Sequence, residues 1–89
     1  MKKLIEVTEV EGEGLGSLVG EQVLLFGINY IYAGKLVGVN TDFVKLEDPK
    51  IVYETGVFRS PEYKDAQLLH TKEWYVRVSS LESYGRGKQ

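Results

Sequence analysis

An 89-residue chain with no cysteine and a formal net charge of −2 makes one small domain spanning residues 1–89, and it excludes disulfides and thiolate metal sites as supplements to the core. Hydrophobic residues make up 43% of it, with Val, Ile, Tyr, Phe and Thr spread throughout and only two prolines, so a folded all-β protein is expected and a disordered one is not. The isoelectric point of about 5.4 weighs against a protein that coats nucleic acid non-specifically.

The charge is unevenly spread. Glu6, Glu9, Glu11 and Glu13 cluster near the start, whereas Arg77, Arg86 and Lys88 stand against a single Glu82 after Val76. No apolar stretch approaches the roughly 20 residues that cross a bilayer. The acidic residues also interrupt any signal-peptide-like run, so a cytoplasmic location is expected.

Along the chain the dominant period is two. Residues 4–10 alternate and read as an edge strand, given their charges. Gly12, Gly14, Gly16 and Gly20 then break the pattern, leaving residues 15–19 as a short turn or a single helical turn. Residues 23–26 form an apolar run of strand length, and residues 27–30 supply the turn of a hairpin into a strand over 31–39. Tyr32, Gly34, Leu36 and Gly38 share one face of that second strand. Two glycines on one face allow it to bend and another strand to pass close, as a short sheet curling into a barrel requires.

Asn40, Thr41 and Asp42 make the next turn, with side chains suited to capping their own backbone. A third strand over 43–48 ends at Asp48 and Pro49, and residues 50–53 either continue it past the proline or start a separate strand. Residues 55–71 are expected to be an insertion with one helical turn near Ser60, Pro61 and Glu62. Residues 73–79 read as a clear strand, Trp74, Val76 and Val78 facing one way and Tyr75, Arg77 and Ser79 the other. A last short strand spans 81–84, and residues 85–89 read as a frayed tail. There is no internal repeat.

Catalytic constellations fail on inspection, and a non-enzymatic protein is expected. His70 is the only histidine, so neither a His/Cys zinc cluster nor a convincing nucleophile pair exists. The acidic, glycine-rich segment 12–16 lacks the Lys-Ser/Thr that follows a phosphate-cradling loop. The N-terminal glutamates read as a solvated acidic edge. No metal and no cofactor is implied.

The order of these elements resembles the two-part signature of the Sm and LSm proteins. Its first part is matched by Gly20, Val23, Leu25, Tyr32, Gly34, Leu36, Val39, Leu46 and Asp48, its second by Val76, Arg77, Ser79 and Leu81. The resemblance covers about residues 15–84, with core motifs at 20–48 and 74–84, and is that of a divergent member, similar to Sm-like proteins of marine phage and metagenome sequences. It implies a strongly bent, five-stranded open barrel of the SH3-like kind, with a short helical turn near the N-terminus or in the 55–71 insertion. It also implies a homo-oligomeric ring of roughly five to seven subunits, a role in RNA or DNA processing, and, for a phage-encoded protein, the host cytoplasm.

By the same resemblance, nucleic-acid binding falls to Arg77, Asn40, Asp42, Phe43 and Ser79, with Arg77 in the place of the family's base-stacking arginine. Two departures modify this. Asn40, Asp42, Phe43 and Val44 occupy the family's loop, where the base-reading Asn is missing or displaced, so uridine specificity has no support here. Val78 stands where a glycine follows the arginine. Each residue also has a plainer reading: Arg77 paired with Glu47 or Asp48, residues 40–42 as an ordinary hairpin loop, and Phe43 as core through its alternation with Val44. A ring would pair the strand edge around Tyr75 with that of Leu81 and Tyr84, with Trp74 among the interface aromatics; the plainer reading is intramolecular packing. The partners expected are therefore further copies of the chain and single-stranded RNA or DNA, with no membrane. The other functional class is a structural or adaptor barrel, such as a phage assembly component, that makes protein contacts only.

Overall fold

The computed structural model describes residues 12–88; the candidate strand over residues 4–10 lies outside them. The helical turn expected near the start is a 3-10 helix, Leu15–Leu18, that buries Leu18. Six strands follow: β1 Gln22–Gly27, β2 Ile31–Val39, β3 Phe43–Glu54, β4 Asp65–Leu68, β5 Glu73–Arg77 and β6 Leu81–Arg86. They form one antiparallel sheet in the order β4-β3-β2-β1-β6, with β5 also on β3. Among the described residues no helix is long and apolar enough to cross a membrane.

The outer edge of β3 is shared. β5 pairs with Phe43–Glu47 and β4 with Lys50–Glu54. Between them the chain bends at Asp48, whose φ of 52° is left-handed, a conformation that Asp tolerates better than most residues. The Asp48 N–H donates to the Lys72 carbonyl at 2.8 Å, and the Leu69 N–H to the Pro49 carbonyl at 2.9 Å, so pairing resumes on either side of the bend. Pro49 therefore interrupts the ladder without ending the strand, and residues 43–54 are one element. Its missing N–H falls where the β2–β3 register slips between Ala33 and Lys35. Gly34 lies at that slip, where a Cβ would stand 3.1 Å from the Glu47 carbonyl oxygen and 3.3 Å from Pro49 Cα. Only glycine lets the two strands approach this closely without displacement.

Two clusters explain why residues 23–26 are apolar without alternation. Val23 and Leu25 point into one core with Leu18, Leu36, Val44, Leu46 and Val76. Leu24 points through the other face onto Ala33 and Val52, where Phe26, Tyr63 and Ala66 cover it. A strand buried on both faces reads as a continuous apolar run. Gly20 begins this arrangement with φ 95°; its N–H donates to the Leu36 carbonyl at 2.6 Å, and the Leu36 N–H returns to the Glu21 carbonyl at 2.9 Å.

Three expectations are corrected. Residues 55–71 contain no helical turn: β4 adds a sixth strand where five were expected, and residues 57–60 make only a turn closed by the Ser60 N–H on the Val57 carbonyl. The free outer half of β3 offers this segment a partner that no local pattern announces. The strand over 73–79 stops at Arg77, because Val78–Ser80 forms a second 3-10 turn, with Ser80 Oγ donating to the Arg77 carbonyl at 2.8 Å. Residues 85–88 are not frayed. Gly85 and Arg86 continue β6, the Gly87 N–H donates to the Gln22 carbonyl, and Lys88 anchors to residues 55–63.

Candidate nucleic-acid interface

The β2–β3 hairpin and the end of β5 bring most of the sequence-derived residues together. Asn40 builds the turn: its Oδ1 accepts the N–H groups of Asp42 and Phe43, each at 2.8 Å. The Asp42 carbonyl then accepts the Val78 N–H at 2.8 Å, tying the turn to the 3-10 helix that follows β5. Phe43 and Arg77 are directly opposite in the β3–β5 register, which puts their Cβ atoms about 5 Å apart on one face.

Phe43 is exposed at 41%, while Val44 is wholly buried. This overturns the core reading of Phe43. Alternation guarantees that the two point in opposite directions, and Val44 is the one that meets Val39 and Val76 across the strands. Arg77 is exposed too. Among the described residues the ion pairs are Lys45–Glu73, Lys64–Glu54 and Arg86–Glu21, so Arg77 pairs with neither Glu47 nor Asp48 there.

Asp42, Phe43, Arg77 and Ser79, with Thr41, line an open groove of about 210 Å³. Asn40 is not among them. It lies beyond Phe43 in a second groove of about 220 Å³, with Gly38, Val39, Lys45 and Tyr75. Thr41 and Lys45 were not singled out from the sequence. For Lys45 half the signal was there, since strand parity places it on the face of Phe43; that it stands opposite Tyr75 is set by the β3–β5 register.

The electrostatics of the two grooves differ. Arg77 gives the first a guanidinium plane with no acid bonded to it among the described residues. In the second, Lys45 Nζ lies 2.8 Å from Glu73 and 5.6 Å from the Tyr75 ring centre. The hydrogen bond to Glu73 and its charge hold the Lys45 ammonium above its ordinary range, with Tyr75 adding to the shift.

The residues expected at a subunit interface separate. Tyr75 and Tyr84 are exposed, at 60% and 44%. Leu81 and Trp74 pack against the main core, and the Trp74 ring meets that of His70 edge-on at 6.1 Å. Neither comparison with protein-family models nor comparison with curated proteins gives a match for this chain.

Proposed function

We propose that this protein is an Sm-like, ring-forming protein that binds single-stranded RNA or DNA in the groove of Asp42, Phe43, Arg77 and Ser79 and serves nucleic-acid processing. One observation carries the reading: an exposed aromatic ring and a guanidinium without an acidic partner among the described residues stand opposite each other across two strands. Single-stranded nucleic acid is held by stacking bases on such planes, with cations near the phosphates. Ring formation is supported by the open sheet. Among the described residues β6 ends it on one side and β4 with β5 on the other, so both margins carry backbone groups that no described strand pairs. A ring multiplies a weak site, because one strand engages several subunits in turn.

Arg77→Ala tests the site. Gel shifts with labelled oligo-U and oligo-A at low salt should show a loss of roughly 5- to 150-fold, the range for one lost stacking partner, with the thermal melt unchanged. Equal affinity in mutant and wild type removes Arg77 from the site. Light scattering tests the ring, and a monomer at micromolar concentration rules it out. Exposed Val57 and Phe58, at 73% and 67%, favour a second reading, an adaptor barrel that binds only protein. Absence of oligonucleotide binding at low ionic strength, where phosphate contacts are strongest, would favour it.

A further inference from the structure

We propose that each subunit holds two consecutive, mutually unstacked nucleotides, the second lying on Tyr75 in the groove on the other side of Phe43; this rests on the single-strand-binding reading above. The two grooves are neighbours, of nearly equal volume, about 210 and 220 Å³, and Phe43 lines both. Each also has its own aromatic–cation pair directly opposite in the same register, exposed Phe43 with exposed Arg77, and exposed Tyr75 with half-buried Lys45. The two pairs are two residues apart along the strands. That separates them by about 6.7 Å, roughly twice the 3.4 Å between bases in a stacked strand. Bases that fill both grooves cannot remain stacked on each other, so the pair of grooves selects a splayed single strand over a duplex.

The grooves differ in what they hold. Arg77 makes no ion pair among the described residues, although Asp42 lines the same groove, whereas Glu73 already takes the charge of Lys45 at 2.8 Å. Glu47 and Glu73 stand opposite each other further along the same strands. Glu73 is spent on Lys45, but Glu47 makes no ion pair among the described residues, and its carboxylate disfavours phosphate beyond Tyr75. The second groove therefore works by stacking on the Tyr75 ring, and the phosphate contact belongs to the first. Tyr75 being 60% exposed, its substitution leaves the core intact.

The test is fluorescence anisotropy with a labelled single strand of uniform sequence and with a strand in which every second nucleotide is abasic. Tyr75→Leu, which keeps apolar bulk and loses the π face, should weaken binding of the full strand roughly 5- to 150-fold without changing the slope of affinity against salt. Tyr75→Phe should bind like wild type, and Arg77→Ala should lower the salt slope. The abasic strand should bind wild type as weakly as the full strand binds Tyr75→Leu, and should lose nothing further from that substitution. If wild type and Arg77→Ala behave as stated but Tyr75→Leu binds the full strand normally, the second groove is refuted and the first stands. If wild type binds no strand at low salt, both fall. Light scattering on each variant separates lost assembly from lost stacking: a Tyr75→Leu protein of altered size whose weakened binding is the same for full and abasic strands also refutes the stacking role.

Discussion

Lys88 offers the sharpest check on the packing of the fold. Its ammonium donates to three backbone carbonyls, of Thr55 at 2.9 Å, Val57 at 2.7 Å and Glu62 at 3.0 Å, and lies 5.1 Å from the centre of the Tyr63 ring. Its own N–H donates to the Tyr63 hydroxyl at 3.1 Å. One side chain thus holds the C-terminal end of the sheet to the segment that covers Leu24 and Val52. Lys88→Met keeps an unbranched apolar stem over the ring and removes the charge. A hydrogen bond from a charged donor is worth about 1.5–3 kcal/mol. The bonds to Val57 and Glu62 are at exposed positions where water replaces the lost donor, whereas the Thr55 bond is partly buried. Counting the buried bond at its lower end, plus about 0.5 kcal/mol for the exposed cation–π contact, gives a loss near 2 kcal/mol. The melting temperature should then fall by roughly 8–16 °C for a domain of this size. Circular dichroism melts measure that fall, and hydrogen exchange should show faster exchange at the Ser60 and Lys64 amides, which are bonded inside the clamped segment. A melt within about 1 °C of wild type, with unchanged exchange at both amides, refutes the clamp.

Gly34→Ala should destabilise by about 1–3 kcal/mol, read as a lower urea midpoint at unchanged m-value, because its Cβ meets the backbone of Glu47 and Pro49 at 3.1–3.3 Å. Asn40→Ala removes an acceptor for two amides and should cost about 1 kcal/mol; if Asn40 acts only by shaping the turn, any loss of oligonucleotide affinity should be equal for oligo-U and oligo-A, and an unequal loss would give it a base contact. The alkaline limb of stability should carry the mark of Tyr32 and Lys45. Burial and the neighbouring Tyr30 push the Tyr32 phenol above 10.0, and Glu73 pushes Lys45 above 10.5. In both cases the folded state holds the proton more tightly, so the contribution is present below the ordinary value and lost as pH rises through the raised one. Denaturation from pH 9 to 12 should therefore show a shallower fall in Tyr32→Phe than in wild type; identical profiles would contradict it.

The parts of the fold legible in the sequence were those that local periodicity specifies. Alternation and turn residues place β1, β2, the Asn40 turn and β5 close to their observed bounds, and Gly20 and Gly34 mark places where the backbone requires glycine. What was not legible depends on distant partners. Residues 65–68 become a strand because the bend at Asp48 leaves the outer half of β3 unpaired, a property of residues some 15 positions away. The tail is held by contacts 25 to 33 residues back in the chain. Phe43 fails for a different reason. Period two separates it from Val44 without saying which is inside, and only the register against β5, with Arg77 opposite Phe43, decides the matter.

Site and assembly margin are joined by a short covalent path, which bears on how the proposed functions depend on each other. Arg77 ends β5, one margin of the sheet, and only the Val78–Ser80 turn separates it from β6, the other margin. That turn is fixed at both ends: the Val78 N–H reaches the Asp42 carbonyl at 2.8 Å, and the Ser80 carbonyl accepts the Ile28 N–H at 2.9 Å. Strand pairing between copies would order β5 and β6 along their outer edges, and a turn of three residues leaves little slack between them. On the proposed reading, assembly therefore sets the position of Arg77 relative to Phe43 as well as multiplying the groove. Nucleic acid that stacks between those two side chains should in turn favour the assembled form, by the reciprocity of linked equilibria. The ring and the ligand site are then one thermodynamic unit, and a substitution that disrupts either margin should weaken binding even when every groove residue is intact.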